Sequence, residues 1–167
     1  MNLAYFLLPK GRVAYLYDDF TFRQGLEKMR SHGYAAIPVI TRRGQYAGTV
    51  SEGDFLWRLV DADGGDSRRN REALRLSSAR NLEKLMVRDL LRIESFPPVR
   101  ITAAMEELMM FAMNQNFVPV VDDMDYFTGI VTRRDIIRYF AMERGALEPV
   151  KAMESMKTAE LMKKIAI

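Results

Sequence analysis

The sequence of 167 residues contains no cysteine, one histidine and one tryptophan. Without cysteine there are no disulfides, no thiolate metal sites and no cysteine nucleophile, which fits a reducing compartment. The histidine, His32, precedes Gly33 at a predicted helix end, where exposure or pairing with the helix dipole explains it. Because neither a metal-ligand cluster nor a nucleophile paired with a base is visible, we expect no enzyme, no catalytic residues and no metal.

Long apolar runs are also missing. The N-terminal stretch MNLAYFLLPKG has no basic leader and its apolar run stops at Pro9, which is not typical of a signal peptide or a membrane span. We therefore predict a cytoplasmic protein without membrane contact. The length suits one domain or two small ones, and the hydrophobic content of 49% is ample for a core.

The chain carries little net charge, because its basic and acidic residues nearly balance. The net charge of +3 and the pI of about 9.2 favour anionic partners in general. Basic residues cluster at 41–44, 67–75 and 132–135, and such runs are usually solvated faces. No reader helix or stacking motif accompanies them, so nucleic acid is not an expected partner.

What the chain does contain is an internal repeat. GTVSEGDFL at 48–56 reappears 81 positions later as GIVTRRDII at 129–137. The same shift pairs Thr21 with Thr102, Met29 with Met110 and Pro38 with Pro119. Identity and order are kept together along this run, so the pattern predicts two homologous halves.

Each half is predicted to run helix, strand, strand, helix. The helices are TFRQGLEKMRSHG, EGDFLWRLV, TAAMEELMMFAMNQN and RRDIIRYFAMERG, and the strands are YAAIPVI, QYAGTV, FVPVV and YFTGIV. Ser51 is a candidate N-cap. Pro38 and Pro119 remove ladder donors, so their strands should be edge-like or begin after the proline.

The halves define the expected domain boundaries: repeat 1 at 1–61, a polar linker at 62–84, repeat 2 at 85–144 and a helical tail at 145–167. In the tail, one apolar helical stripe is formed by Val150, Met153, Met156, Leu161 and Ile165. We expect this helix to pack on its own protein or on a second subunit, since methionine-rich faces suit adaptable contacts.

YAAIPVI…GTVSEGDFL, repeated as NFVPVV…GIVTRRDII, resembles the paired CBS domains that form a Bateman module, over residues 6–60 and 85–141. The resemblance implies an α/β (α+β) fold of two βαββα-like CBS repeats with pseudo-twofold symmetry, here with a C-terminal helix. It implies a regulatory module that binds an adenine nucleotide as a ligand, with no other cofactor, and modulates a partner protein whose identity the sequence does not give.

The chemistry of TRRD agrees with that role. A carboxylate only accepts hydrogen bonds, so Asp135 suits the two hydroxyls of a ribose, and Thr132 adds a hydroxyl. Arg133, Arg134 and the amides at the helix start suit phosphate. The structural alternative is that Asp135 merely complements the helix dipole.

By resemblance, repeat 1 completes the cleft that contains Thr132, Arg133, Arg134 and Asp135. Repeat 1 is expected to contribute Arg12 for phosphate, backbone groups near Ala14 and Ala36 for adenine, and an apolar slot. The residues that it contributes in all are Arg12, Ala14, Tyr34, Ala35, Ala36, Ile37 and Pro38. A second, weaker cleft is expected from Ser51, Asp54, Ile93, Asn116, Phe117 and Val118. SEGD at 51–54 supplies no arginine there, and Glu52 repels phosphate.

Two ligand classes stay open. LLPKGRVAYL, GYAAIPV and GIVTRRD also resemble small stand-alone bacterial CBS proteins that bind cyclic di-AMP and regulate a partner. In cyclic di-AMP the ribose 3′-oxygen is esterified, so it offers Asp135 no vicinal diol. Retention of the acid therefore favours AMP, ADP or ATP, with cyclic di-AMP as the alternative.

A different class of function is a structural dimerisation module with degenerate clefts. A homodimer is expected in either case, because the helices after each motif carry a surplus of apolar residues: Phe55, Leu56, Trp57, Leu59, Ile136, Ile137 and Phe140. Packing of these side chains within their own repeat is the other interpretation.

Overall fold

The computed structural model describes residues 3–62, 83–91 and 96–143. The α-helices that lie wholly within these residues are α1 (Phe22–His32), α2 (Glu52–Ala62), α3 (Met105–Asn114) and α4 (Arg133–Glu143). Its strands are β1 (Leu8–Pro9), β2 (Leu16–Tyr17), β3 (Ala36–Ile40), β4 (Tyr46–Ser51), β5 (Val99–Arg100), β6 (Phe117–Val121) and β7 (Phe127–Thr132). Short 3-10 helices span Leu3–Tyr5, Lys10–Arg12 and Val87–Leu90.

The strands form two sheets, ordered β2-β3-β4 and β1-β7-β6-β5. In each sheet a short parallel strand precedes an antiparallel hairpin: β2 beside β3–β4, and β5 beside β6–β7. One helix follows each short strand and another follows each hairpin. The predicted mixed α/β fold of two βαββα-like repeats is therefore confirmed.

Local sequence explains where α1 begins and ends. Thr21 is the N-cap, its hydroxyl accepts from the Gln24 backbone N–H at 3.2 Å, and the Gln24 side chain accepts from the Thr21 N–H at 2.9 Å. This capping box satisfies two donors at the helix start. Gly33 ends the helix with φ of 65°, a left-handed conformation that glycine adopts without steric cost.

Of the two alternatives predicted for the proline strands, the edge-like environment is present, and a start after the proline is not. Pro38 lies inside β3 opposite Thr49, and Pro119 lies inside β6 opposite Ile130. On the other side of β3 and β6, the strands β2 and β5 begin to pair one residue after the proline, at Val39 and Val120. The proline half of each strand thus has one paired side, where a missing N–H is tolerated.

The shift between the repeats is not constant along the chain. From β3 to β6 it is 117 − 36 = 81, as predicted, but from the N-cap Thr21 to the N-cap Ala104 it is 104 − 21 = 83. The pairing of Thr21 with Thr102 and of Met29 with Met110 is therefore wrong. Burial agrees, because Met29 is 3% exposed and Met110 is 64% exposed. Repeat 1 has two extra residues between the start of the helix and the following strand, one in α1 itself and one in the connection to β3.

Each repeat lends its leading segment to the other. Leu3 and Phe6 are buried in the core beneath α3 and α4, and β1 pairs with β7. Reciprocally, Val87 and Leu90 are buried in the core that contains Phe22 and Phe55 of repeat 1. The Phe22 N–H donates to the Leu85 carbonyl at 2.9 Å.

The two hairpins are also joined directly. The Tyr46 N–H donates to the Asp125 carbonyl at 2.9 Å, and the Phe127 N–H donates to the Gly44 carbonyl at 3.0 Å. The Tyr46 and Phe127 rings stack with centroids 6.2 Å apart. The repeats therefore form one packed unit, with clefts between them.

We expect Gly129→Ala to destabilise the fold by about 1–3 kcal/mol, the usual cost of overpacking a close contact. A Cβ at Gly129 would overlap the carbonyl oxygen of Leu8, so β1 would have to move off β7. Urea unfolding measures the change. Gly11→Ala is the matched control, because a Cβ at Gly11 meets nothing within 4 Å. Equal stability of the two variants would contradict the close approach of β1.

Candidate functional site

The two repeated motifs form the starts of α2 and α4. The Ser51 N–H and hydroxyl both donate to the Asp54 carboxylate at 2.8 Å, and the Asp54 N–H donates to the Ser51 hydroxyl at 3.3 Å. The Thr132 hydroxyl donates to the Asp135 carboxylate at 2.6 Å and accepts from the Asp135 N–H at 3.1 Å. Both motifs therefore cap their helices, as predicted for Ser51.

Each motif is hydrogen-bonded to the start of β3 or β6, or to the residue before it, in its own repeat. Ser51 pairs with Ala36 across β3 and β4, and the Glu52 N–H donates to the Ala35 carbonyl at 2.8 Å. In repeat 2 the Arg133 N–H donates to the Asn116 carbonyl at 2.9 Å, and Thr132 pairs with Phe117. The crosswise clefts expected from the resemblance stay a prediction.

An open cavity of about 570 Å³ lies between the Lys10–Tyr15 segment and one side of α1. It brings together Arg12, Ala14 and Tyr34, three residues of the predicted first cleft. The other lining residues are Lys10, Gly11, Val13, Tyr15, Lys28 and His32. Lys28 and His32 were not predicted, although their spacing of four on a predicted helix places them on one face.

Burial shapes the chemistry of this cavity. It lowers the pKa of Lys28, although the negative form of Tyr17 opposes the change, and the Lys28 ammonium lies 5.3 Å from the centre of the Tyr15 ring. Burial also raises the pKa of Tyr34, partly opposed by a backbone hydrogen bond from Ala14. The neutral phenol of Tyr34 and the cations of Lys10, Arg12 and Lys28 thus surround one space.

The other residues predicted for the first cleft do not line this cavity. Ile37 is fully buried in the core, within β3 beside Pro38. The Arg133 guanidinium donates to the Gln115 carbonyl at 3.0 Å. Among the described residues the Arg134 guanidinium has no hydrogen-bond or ion-pair partner. Asp135 lines a different cavity, of about 330 Å³, with Arg138, Met142 and residues from Tyr5 to Leu8.

The second cleft is defined less completely. Phe117 and Val118 are 1% and 0% exposed, so their side chains belong to the cores and their backbones alone could face a ligand. Asn116 is exposed, and Ser51 and Asp54 bond to each other as described above. Ile93 lies outside the described residues.

Two features are absent from the described part of the chain, 3–62, 83–91 and 96–143. Within it, no group of three or more histidine or acidic residues has the arrangement of a metal site. No helix there is both long and apolar enough to span a membrane.

Comparison with known proteins agrees with the repeat. The family profile described as "CBS domain" matches residues 8–61 and 83–142, one match for each repeat. CBS domains are typically regulatory, non-enzymatic modules, and no catalytic family is indicated. No curated protein sequence matches the chain significantly.

Solved structures share the fold. CbpB in complex with c-di-AMP is 21% identical, with a TM-score of 0.72 over 87% of this chain and 88% of that one. CbpB of Listeria monocytogenes in complex with c-di-AMP is 24% identical, with a TM-score of 0.68 over 87% and 98%. CBSX2 in complex with AMP is 21% identical, with a TM-score of 0.64 over 86% and 98%.

The single histidine gives a direct probe of the cavity. Burial and the nearby charge of Lys28 hold the pKa of His32 below the 6.5 of an unperturbed histidine. As the pH falls, His32 is therefore protonated in the unfolded chain before it is protonated in the folded chain. The contribution of His32 thus lowers the stability of the fold as the pH falls below about 6.5. We expect an NMR titration to give a pKa below 6.5 and His32→Asn to remove this part of the pH dependence. A pKa at or above 6.5 would contradict the buried, cation-rich setting.

Proposed function

Because the chain belongs to the CBS-domain family, we propose that it is a regulatory module that binds AMP, ADP or ATP and modulates a partner protein. In this proposal binding is coupled to the contact between the repeats, because the Lys10–Tyr15 wall of the cavity connects β1, which pairs with β7 of repeat 2, to β2 of repeat 1. The ligand is regulatory rather than a substrate, and a cytoplasmic location stays part of the proposal.

The observation that carries the proposal is the charge of the cavity between Lys10–Tyr15 and α1. Its lining contains the cations of Lys10, Arg12 and Lys28, and none of the described lining residues is acidic. Guanidinium and ammonium groups are the usual phosphate partners. The volume of about 570 Å³ lies within the range of about 300–1,000 Å³ typical of small-molecule sites.

The cavity also offers a place for the base. Tyr15, Tyr34 and Val13 give it aromatic and apolar walls, which suit a flat adenine ring. The backbone near Ala14 supplies the polar groups that fix its orientation. We therefore assign adenine and the first phosphate to the Arg12, Ala14 and Tyr34 side of the cleft.

In this proposal the TRRD motif, whose Asp135 lines the separate cavity beside Tyr5–Leu8, completes the cleft from repeat 2. One carboxylate oxygen of Asp135 accepts a hydrogen bond from the Thr132 hydroxyl at 2.6 Å, and this bond orients the carboxylate at the start of α4. Arg133 is held by the Gln115 carbonyl, so Arg134 is the better candidate for a mobile phosphate contact. In this proposal Asp135 accepts hydrogen bonds from a ribose diol.

Two ligand classes compete on the same fold. Two of the similar structures contain c-di-AMP and one contains AMP. A calorimetric panel of AMP, ADP, ATP and cyclic di-AMP separates them. Tight binding of the linear nucleotides supports the proposal, and selective binding of cyclic di-AMP supports the alternative. If neither the linear nucleotides nor cyclic di-AMP bind, the structural dimerisation module is the function that remains. Conversion of any nucleotide to product would overturn the non-enzymatic assignment.

A homodimer is also proposed, on a smaller surface than the sequence predicted. Phe55 and Ile136 are 1% and 4% exposed and pack within their own repeats, so they are not available to a partner. Leu56, Trp57 and Ile137 are 57%, 58% and 60% exposed. Leu56 and Ile137 are equivalent positions of α2 and α4, 81 residues apart, which suits an interface that repeats across a twofold axis.

We expect Arg12→Ala and Arg134→Ala each to weaken AMP binding by about 1.5–3 kcal/mol, the range for hydrogen bonds to charged groups. Adenosine, without phosphate, should bind both variants as it binds the parent. Arg23→Ala is the control, because Arg23 is exposed on α1 outside the cavity lining. Isothermal titration calorimetry measures the three affinities. Equal loss of adenosine and AMP would show that the arginines support the fold rather than a phosphate.

Asp135→Asn should weaken AMP and ATP by roughly 1.5–3 kcal/mol, because the amide is a poorer and partly donating partner for a ribose diol. Cyclic di-AMP, which lacks the diol, should lose much less. Asp54→Asn should have a smaller effect, since Glu52 stands beside its phosphate position. Thermal unfolding controls for the caps. A stable Asp135→Asn variant with parental AMP affinity would reduce Asp135 to a helix cap.

Leu56→Arg combined with Ile137→Arg should convert the dimer to a monomer, because two like charges would face their copies across the interface. Light scattering at tens of micromolar checks the mass, with and without AMP. The exposed Met124→Arg is the control and should remain a dimer. A monomeric parent protein under these conditions would reject the homodimer.

A further inference from the structure

Helix α3 exposes a methionine face that its sister helix lacks. Met109, Met110 and Met113, here called the methionine face, are 43%, 64% and 72% exposed. With the shift of 83 residues that relates the helices, Met110 corresponds to Glu27 and Met113 to Arg30, both exposed on α1. A surface that is charged in one repeat and apolar in the other points to a contact made by repeat 2 alone.

This face differs from the proposed dimer surface. Leu56 and Ile137 occupy equivalent positions, so the dimer surface is present in both repeats. At two of the three positions of the methionine face repeat 1 carries the exposed charged residues Glu27 and Arg30, and at the third, that of Met109, it carries Leu26, which is partly buried against the core. An interface that pairs both repeats of two copies does not account for it.

The chain itself supplies a segment of matching chemistry within reach. We propose that the methionine face is the docking site of the C-terminal segment, residues 148–167, of the same chain. The sequence of that segment predicts an amphipathic helix whose apolar stripe contains Val150, Met153, Met156, Leu161 and Ile165. Unbranched methionine side chains on both surfaces adapt to each other without a preformed groove.

Chain geometry makes the contact accessible. Helix α4 begins beside the C-terminal end of α3, where Arg133 bonds to the carbonyls of Gln115 and Asn116, and the two helices pack together. The 11 residues of α4 span about 16 Å. Residues 144–147 add up to about 14 Å when extended. A helix of 20 residues then covers about 30 Å, twice the length of α3.

Disulfide trapping tests the contact in the full chain, because the protein has no cysteine of its own. Met113→Cys is combined with Met153→Cys in one protein and with Met156→Cys in another. We expect an intrachain disulfide in at least one, formed at least tenfold faster than in the control pair Met124→Cys with Met156→Cys. Met124 is 69% exposed in the turn between β6 and β7.

The outcomes are distinct on a non-reducing gel and by mass spectrometry of peptides. An intrachain bond supports the proposal. A bond found only between chains would make a second copy the occupant and overturn it, as would trapping no faster than in the control.

Hydrogen exchange gives an independent readout without new cysteines. Met110→Glu combined with Met113→Arg places the residues of α1 on α3. We expect the amides of 148–167 to lose at least tenfold protection while those of β6 and β7 keep theirs. Met124→Gln should leave the tail protected. An unprotected tail in the parent protein, or a tail equally protected in the double variant, would overturn the proposal.

Discussion

The reciprocal exchange of leading segments holds the molecule together. Leu3 and Phe6 complete the core of repeat 2, and Val87 and Leu90 complete the core of repeat 1. Each core buries apolar surface that is distant in sequence, so neither repeat buries its own core without the other. Gly48 and Gly129, at equivalent strand positions, leave room for this crossing: Leu91 packs beside one and the backbone of Leu8 beside the other.

The same exchange places the candidate site. Because β1 lies on β7, the chain that follows it, Lys10–Tyr15, must return to repeat 1 to form β2 beside β3. The cavity lies between this Lys10–Tyr15 segment and α1. Its cations therefore come from a connecting segment and a helix, and not from the repeated strand–helix motifs. Those motifs contribute oriented helix starts, with a carboxylate held by a hydroxyl in each.

Symmetric repeats have acquired different surfaces. Gly33 and Tyr34 fall in the region where repeat 1 is two residues longer, and they put a buried tyrosine beside the cavity. Repeat 2 passes from α3 to β6 through Gln115 and Asn116 and shows the methionine face on α3. A shared fold thus supports one cationic cavity and one exposed apolar face, because exposed positions change without disturbing the buried ones.

The sequence alone determined the four helices and the two hairpins in their order, because helix caps, apolar periodicity and strand formers act over a few residues, whereas the two-residue strands β1, β2 and β5 are too short to show such a pattern. It also indicated Arg12, Ala14 and Tyr34, which the structure brings to one cavity. Tertiary structure decided the rest: that Lys28 and His32 line that cavity, that Phe55 and Ile136 are core residues, and that the repeats differ by two residues in spacing. These depend on contacts between residues far apart in the chain, and a one-dimensional pattern records spacing along the chain but not which distant segments meet.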